Sequence, residues 1–339
     1  MSSTSKGVRW LLVAIGLVAV VMAAAAALAA WWLQRPLPLA TAAVELSIEP
    51  GATPRDVAAG WVHAGVMTHA EWLYQWFRWS GQARRIRAGS YEVETGVTPR
   101  QLLDKMVQGD ELLEKLRIPE GATWRQLRAA LSTAPHLKPT LGTLAEAAVM
   151  QQLGSSADSA EGRFFPDTYV YSRGVSDLTV LRRAHAAMQR RLDAAWAQRA
   201  ADTPLKSPDQ LLILASIVEK ETGPRDDPAM VAAVFLNRLR IGMPLQTDPT
   251  VIYGLGEAFD GNLRKRDLQA DGAYNTYTRA GLPPTPIALP SVASLQAVAK
   301  PAPTRALYFV SRGDGSSVFS DNLADHNRAV NKYQRKSPP

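Results

Sequence analysis

Two glutamates flank a lysine where an apolar run stops. The stretch LLILASIVEKETG, residues 211–223, opens with eight residues fit for a helix interior and closes on Glu219, Lys220 and Glu221. The pattern predicts a buried helix ended by Gly223-Pro224. Successive helical residues turn by about 100°, which sets Glu219 and Glu221 roughly 160° apart around the axis. They cannot act as a carboxylate pair on one face. Glu221 follows Val218, Ile217 and Leu214 at helical spacing and extends the most apolar stripe. Glu219 follows Leu212, Ala215 and Ser216, a mixed face. A carboxyl at the end of an apolar stripe is desolvated, which disfavours its anion. Such an acid can protonate a leaving oxygen, the part a general acid plays at a glycosidic bond. The competing reading makes both glutamates helix-end charges paired with Lys or Arg.

Two further stretches carry polar and aromatic groups. VAAVFLNRLRIGMPLQTDPTVIYGLG, residues 231–256, reads as a helix ending at Gly242, a short extended piece with Gln246, Thr247 and Asp248, and a second helix from near Pro249. AYNTYTRAGLPPTPIALP, residues 273–290, is rich in Pro, Gly, Tyr and Asn, yet too apolar for a linker. Ordered loops of this kind suit sugars, since aromatic rings stack on pyranose faces and amides read hydroxyls. The alternative is a proline-rich loop packed on the core.

Other chemistries find no footing. The chain has no cysteine, and its five histidines show no metal-ligand spacing. It has neither a nucleophile elbow nor a phosphate-binding glycine loop. Arg182, Arg183, Arg190 and Arg191 lie on an amphipathic helix expected over 176–199, with Ser176 as its N-cap. They read as a solvated face, with no nucleic-acid motif beside them.

The elements that must hold these groups belong to a chain of 339 residues with net charge +7, enough for two or three domains beside anionic surroundings. Residues 1–9 read as a short tail holding Lys6 and Arg9. Residues 10–33 carry no charge and as a helix would span roughly 36 Å, enough for a hydrocarbon core about 30 Å thick. Trp10 and the Trp31-Trp32 pair bracket that run. The basic flank keeps the N-terminus in the cytoplasm. A cleaved signal peptide is the rival, because the alanine tract offers cleavage sites. Residues 34–43 form a linker stiffened by Pro36 and Pro38.

One device then recurs. IEPGATPRDV, VETGVTPRQL and IPEGATWRQL, from Ile48, Val93 and Ile118, each predict a strand, a glycine turn, a threonine N-cap and a helix. Residues 44–108 make the first domain, with helices near 54–64 and 69–79 and a second strand at 89–93. Arg84, Arg85 and Arg87 read as a solvated basic loop. Residues 109–160 connect, with an irregular part from 134 onward. Residues 161–335 form the second domain. It opens on the aromatic EGRFFPDTYVY, carries a hairpin over 307–320 turned at Gly313-Asp314-Gly315, and ends on a helix from Asn322 that holds His326. Residues 336–339 are a tail.

EGRFFPDTY, ASIVEKET, VAAVFLNRLRIGMPLQTDPTVIYG, AYNTYTRAGLPPTPIALP and SDNLADHN together resemble the endolytic murein transglycosylases of the bacterial inner membrane. The resemblance covers most of 44–335 and is weakest over 134–160, and Phe164 stands where the family usually has Leu. It implies an α+β protein. An N-terminal transmembrane helix would precede a small LysM-like β-α-α-β domain and a lysozyme-related mixed α/β catalytic domain in the periplasm. The family's essential glutamate falls on Glu221. Gln246, Asp248, Tyr274, Asn275 and Tyr277 are the implied substrate-binding residues. The implied reaction cuts the MurNAc-GlcNAc β-1,4 bond within a glycan strand, leaves a 1,6-anhydro-MurNAc end, and needs neither metal nor cofactor. Implied partners are peptidoglycan glycan strands, the inner membrane and membrane-bound peptidoglycan synthases. A hydrolytic muramidase with Asp248 activating water, or a non-enzymatic peptidoglycan-binding protein, remain alternatives. A pyridoxal-phosphate lyase lacks its phosphate-cradled Schiff-base lysine, and Lys220 alone does not make one.

Overall fold

The computed structural model describes residues 4–223 and 227–334. Pro224, residues 1–3 of the N-terminal tail and the tail 336–339 lie outside the described residues. The chain is a mixed α+β protein that divides into two compact units. One takes Met1–Glu114 with Ser172–Gly174, and the other takes Lys115–Tyr171 with Val175–Pro339.

The first unit begins with α1 (Thr4–Gln34). Its span Leu12–Gln34 has mean hydropathy 2.7 and none of it is buried in protein, so by length and composition it can cross a membrane. Next come β1 (Ala43–Ile48), α2 (Pro54–Ala64), α3 (Ala70–Trp79), β2 (Gly89–Glu94) and α4 (Pro99–Gln108). The β-α-α-β order matches the sequence expectation. Strands β1 and β2 pair antiparallel, with Val44 opposite Val93 and Leu46 opposite Tyr91. Trp61, Leu73, Phe77, Tyr91, Leu102, Leu103 and Met106 are fully buried beneath them.

The chain continues through β3 (Leu113–Arg117), which pairs with the later strand Thr168–Ser172. The second unit continues with α5 (Trp124–Thr133), α6 (Glu146–Gln152) and β4 (Thr168–Ser172). Segment 134–160, irregular in sequence, thus holds a helix whose Val149 and Met150 are fully buried. Helices α7 (Asp177–Ala197), α8 (Pro208–Glu221), α9 (Pro228–Arg240), α10 (Asp248–Leu255), α11 (Lys265–Gln269) and α12 (Val292–Ala299) follow. The hairpin β5 (Tyr308–Ser311) and β6 (Ser317–Ser320) precedes α13 (Leu323–Tyr333). One core cluster gathers around Trp124 and Phe164, stacked at 5.2 Å, and a second around α8, α9 and α12.

The recurring threonines act as the sequence predicts. Thr53, Thr98 and Thr123 each cap a helix through a reciprocal box, with Asp56, Gln101 and Gln126 returning the bond to the cap backbone. Each such cap contributes about 1 kcal/mol. Ser176 caps α7 and Asn322 caps α13 by accepting from the amide of the third residue on.

Candidate active site

Helix α8 is capped by Ser207, which accepts from the Gln210 amide at 3.2 Å, and starts on Pro208. Every residue from Leu211 to Val218 is buried. A helix enclosed on all sides has no single apolar stripe. This corrects the sequence argument: Leu212, Ala215 and Ser216 are as buried as Leu214 and Ile217, and both glutamates emerge half-buried. Burial does not separate them, but their partners do.

The Glu219 carboxylate serves α12. It accepts from the Ser291 amide at 2.9 Å, the Ser291 hydroxyl at 2.6 Å and the Ser294 hydroxyl at 2.7 Å. An anion at a helix N-terminus is stabilised by the first amides and the helix dipole. Lys220 is exposed and donates to the Gly121 carbonyl at 3.3 Å.

Glu221 faces a cleft of about 670 Å³ whose walls include Arg238, Gln246, Asp248, Tyr277, Tyr308 and His326. Its Oε1 accepts a hydrogen bond from the hydroxyl of Thr247. Thr247 is buried at the N-cap of α10, and its amide donates to Thr276 Oγ1 at 3.1 Å. Thr276 in turn shares a hydrogen bond of 2.9 Å with the Thr250 hydroxyl. Buried threonines from two loops and one helix thus fix the carboxyl. The residue before Thr247 carries strain: Gln246 has φ 49°, the left-handed region, and its amide donates to the Thr276 carbonyl at 3.1 Å.

Arg238 forms the cationic wall. Nearly buried, it donates through Nε to the Leu307 carbonyl at 2.7 Å and through Nη1 to the Leu245 carbonyl at 2.6 Å. Burial lowers its pKa, while Tyr308, Tyr277 and Glu221 oppose that shift electrostatically. Tyr277 donates to Asp248 at 2.6 Å. Burial first, then that bond to Asp248, and then the charges of Asp248 and Glu221 push its phenol well above the ordinary range, against the pull of Arg238. Tyr308 stacks on His326 at 5.1 Å, and burial together with Arg238 holds the imidazole below its usual pKa.

The structure brings together Glu221, Gln246, Asp248 and Tyr277 from the sequence-derived set. Tyr274 and Asn275 lie off the cleft wall. Tyr274 packs on Tyr253 and shares a hydrogen bond of 2.7 Å with Thr285. The buried Asn275 amide donates to the carbonyls of Asp267, Leu268 and Ala270, and its Oδ1 accepts from the Tyr277 amide at 2.9 Å. Both shape the loop that presents Tyr277.

Nothing in the sequence marks Thr247, Arg238 and Tyr308 as part of the site around Glu221. Glu161, only 3% exposed, accepts from the Trp124 amide at 2.9 Å and from the Tyr253 hydroxyl at 3.1 Å. Burial pushes its carboxyl up to about 7, against those hydrogen bonds. Gly162, at φ 74°, turns the chain beside it where a Cβ would meet Pro286 at 2.5 Å. Among the described residues, no cluster of His, Asp or Glu is fit to hold a metal ion.

The model of the YceG-like family matches residues 46–332, which spans both units and every residue of the cleft named above. This chain belongs to the YceG-like family. Among its relatives is an endolytic murein transglycosylase of Bacillus subtilis (strain 168), 29% identical over 307 residues, which cover 86% of this chain and 84% of that protein. A protein of the same name from Streptococcus pneumoniae serotype 2 is 24% identical over 328 residues, but the match covers only 58% of it. The crystal structure of a yceG-like protein, lmo1499, from Listeria monocytogenes aligns with a TM-score of 0.54 at 28% identity, covering 84% of this chain and 98% of that one. The glutamate helix, the Q-T-D-P-T segment and the Y-N-T-Y loop of this YceG-like chain all fall inside the matched span.

Proposed function

We propose that this chain is an endolytic murein transglycosylase with Glu221 as its single acid and base. The reading rests on one observation. Of the two glutamates that end α8, Glu219 is committed to the serines of α12, while Glu221 meets the cleft beside Thr247 and Arg238. Membership of a family whose relatives are named for that activity supplies the substrate, the glycan strand of peptidoglycan.

The chemistry runs through one carboxyl in two states. As an acid, Glu221 gives its proton to the oxygen of the MurNAc-GlcNAc β-1,4 bond, and the C1–O bond breaks as positive charge grows on the sugar ring. As a carboxylate, it then takes the proton of the sugar's own C6 hydroxyl, whose oxygen closes on C1. The product is a 1,6-anhydro-MurNAc end, and no water is consumed. A hydroxyl suits such a switching group. Thr247 can donate to the carboxylate and accept from the acid, which a backbone amide cannot do. The fixed guanidinium of Arg238 favours the ionised form between the two steps. Gln246, Asp248 and Tyr277 bind the sugars, while Tyr274 and Asn275 hold the Tyr277 loop in place.

In this reading α1 anchors the chain in the inner membrane, with the N-terminus in the cytoplasm and both units in the periplasm. The β-α-α-β unit plays the LysM-like part, and the glutamate-bearing unit is the lysozyme-related one. Tethering raises the effective concentration of the site near newly made strands, where the cut ends elongation beside membrane-bound synthases. A second reading, a hydrolytic muramidase, is favoured by the presence of Asp248 in the same cleft. Digestion of uncrosslinked glycan strands, with products weighed, decides between them. Anhydro ends support the transglycosylase, and reducing ends establish the hydrolase.

A further inference from the structure

Helix α3 exposes two tryptophans on one side. Its buried face holds Leu73 and Phe77, both fully buried. Trp72 is 55% exposed and Trp79 is 78% exposed. Seven helical residues apart, they lie within about 20° of each other around the axis and about 10 Å apart along it. The charged residues Glu71 and Arg78 occupy a different flank, about 100° away, and Glu71 pairs there with Arg55 at 3.4 Å. An exposed aromatic stripe of this kind marks a surface awaiting an apolar partner.

The position of α3 identifies that partner. Trp72 meets Trp32, in the last turn of the apolar helix α1, edge to face at 5.9 Å. The segment leaving α1 is tied to the segment that opens α3. Leu39 bridges Val66, and the Met67 amide donates to the Pro38 carbonyl at 2.8 Å. Met67 is itself 61% exposed. Beside Trp32, Trp31 carries Arg35 over its ring at 3.8 Å, so indole and guanidinium mark the polar edge of α1. Arg84 and Arg85, both exposed in the turn after α3, complement anionic headgroups.

We propose that α3 is a second membrane contact, lying in the headgroup layer of the bilayer that α1 crosses, with Trp72 and Trp79 inserted. The inference rests on α1 being a membrane anchor. Tryptophan belongs at this depth, and amphipathic helices lie in the interface with their apolar side about 5–10 Å into it. Two contacts hold the unit to the bilayer at two points where α1 supplies one.

The chain has no cysteine, so a single introduced one reports a single site. Full-length Trp72→Cys, Trp79→Cys and Val20→Cys variants would be spin-labelled and reconstituted in phosphatidylcholine/phosphatidylglycerol vesicles. Collisions with oxygen and with a water-soluble nickel chelate then give the depth of each label. The proposal expects an oxygen-to-nickel ratio above one at all three positions, highest at Val20. A water-like ratio at Trp79 beside a deep Val20 overturns the α3 contact and leaves the anchor standing. Protection from both quenchers at Trp72 and Trp79 means that protein covers the stripe, which also overturns it. A water-like Val20 removes the anchor and the α3 contact together. Replacing such exposed indoles leaves the unit core untouched, and thermal melts of the variants check that.

Discussion

The hydroxyl of Thr247 donates to the carboxylate of Glu221 across 26 residues of chain. The bond joins the end of one helix to the cap of another and aims the carboxyl into the cleft. Removing the hydroxyl while keeping the shape isolates its part. Thr247→Val forfeits a hydrogen bond to a charged group, and turnover falls about 10- to 100-fold. Thr247→Ser restores most of it. Equal loss in the serine and valine variants contradicts the positioning role.

Arg238 holds two backbone carbonyls together at the cleft wall. Arg238→Met leaves the buried Leu245 carbonyl and the part-buried Leu307 carbonyl without that donor and costs about 2–4 kcal/mol of stability. Arg238→Lys recovers little, because one ammonium cannot bridge as the guanidinium fork does. Denaturant melts of the three forms check the ranking.

Gln246 takes a left-handed backbone that a side chain resists. Gln246→Gly relieves a strain of roughly 1–3 kcal/mol, partly offset by a looser unfolded chain. Stability holds or rises while the Michaelis constant for glycan increases. Gln246→Ala keeps the strain and loses the same contacts, so it separates the two effects.

Glu161 gives a pH signature. Its folded carboxyl stands near 7 against an ordinary 4.5. Between those values the folded state holds a proton that the unfolded state has released, so the contribution to stability is full below about 4.5 and falls as pH rises to about 7. The loss is on the order of 3 kcal/mol. Glu161→Gln keeps an acceptor for the Trp124 amide and removes the titration. Stability curves of the two proteins should therefore converge at low pH and separate in favour of the variant above 7. Parallel curves contradict this.

What was legible in the sequence is local. Thr53, Thr98, Thr123, Ser176 and Asn322 announce helix starts because a cap bonds only two or three residues ahead. The hairpin over 307–320 shows for the same reason. The partners of the glutamates were out of reach. Glu219 meets Ser291 and Glu221 meets Thr247 only after α8 is packed, and spacing along one helix cannot tell an enclosed helix from a half-exposed one. The stripe argument that singles out Glu221 does not hold for an enclosed helix, and resemblance is what points to that residue. Tyr274 and Asn275 looked like sugar binders by type, yet their side chains close a loop through bonds that composition does not reveal. Glu161 hid inside an aromatic block, where its burial depends on Trp124 and Tyr253 from elsewhere in the chain.

The most direct test compares the two glutamates of α8 in the full-length protein. Native chain, Glu221→Gln and Glu219→Gln would each be given uncrosslinked glycan strands, and the products weighed. The account predicts 1,6-anhydro ends from the native chain and from folded Glu219→Gln, the latter less stable through its weakened grip on α12. It predicts a loss of about 10²- to 10⁴-fold in Glu221→Gln. Undiminished cleavage by Glu221→Gln, or its loss in a folded Glu219→Gln, contradicts the assignment.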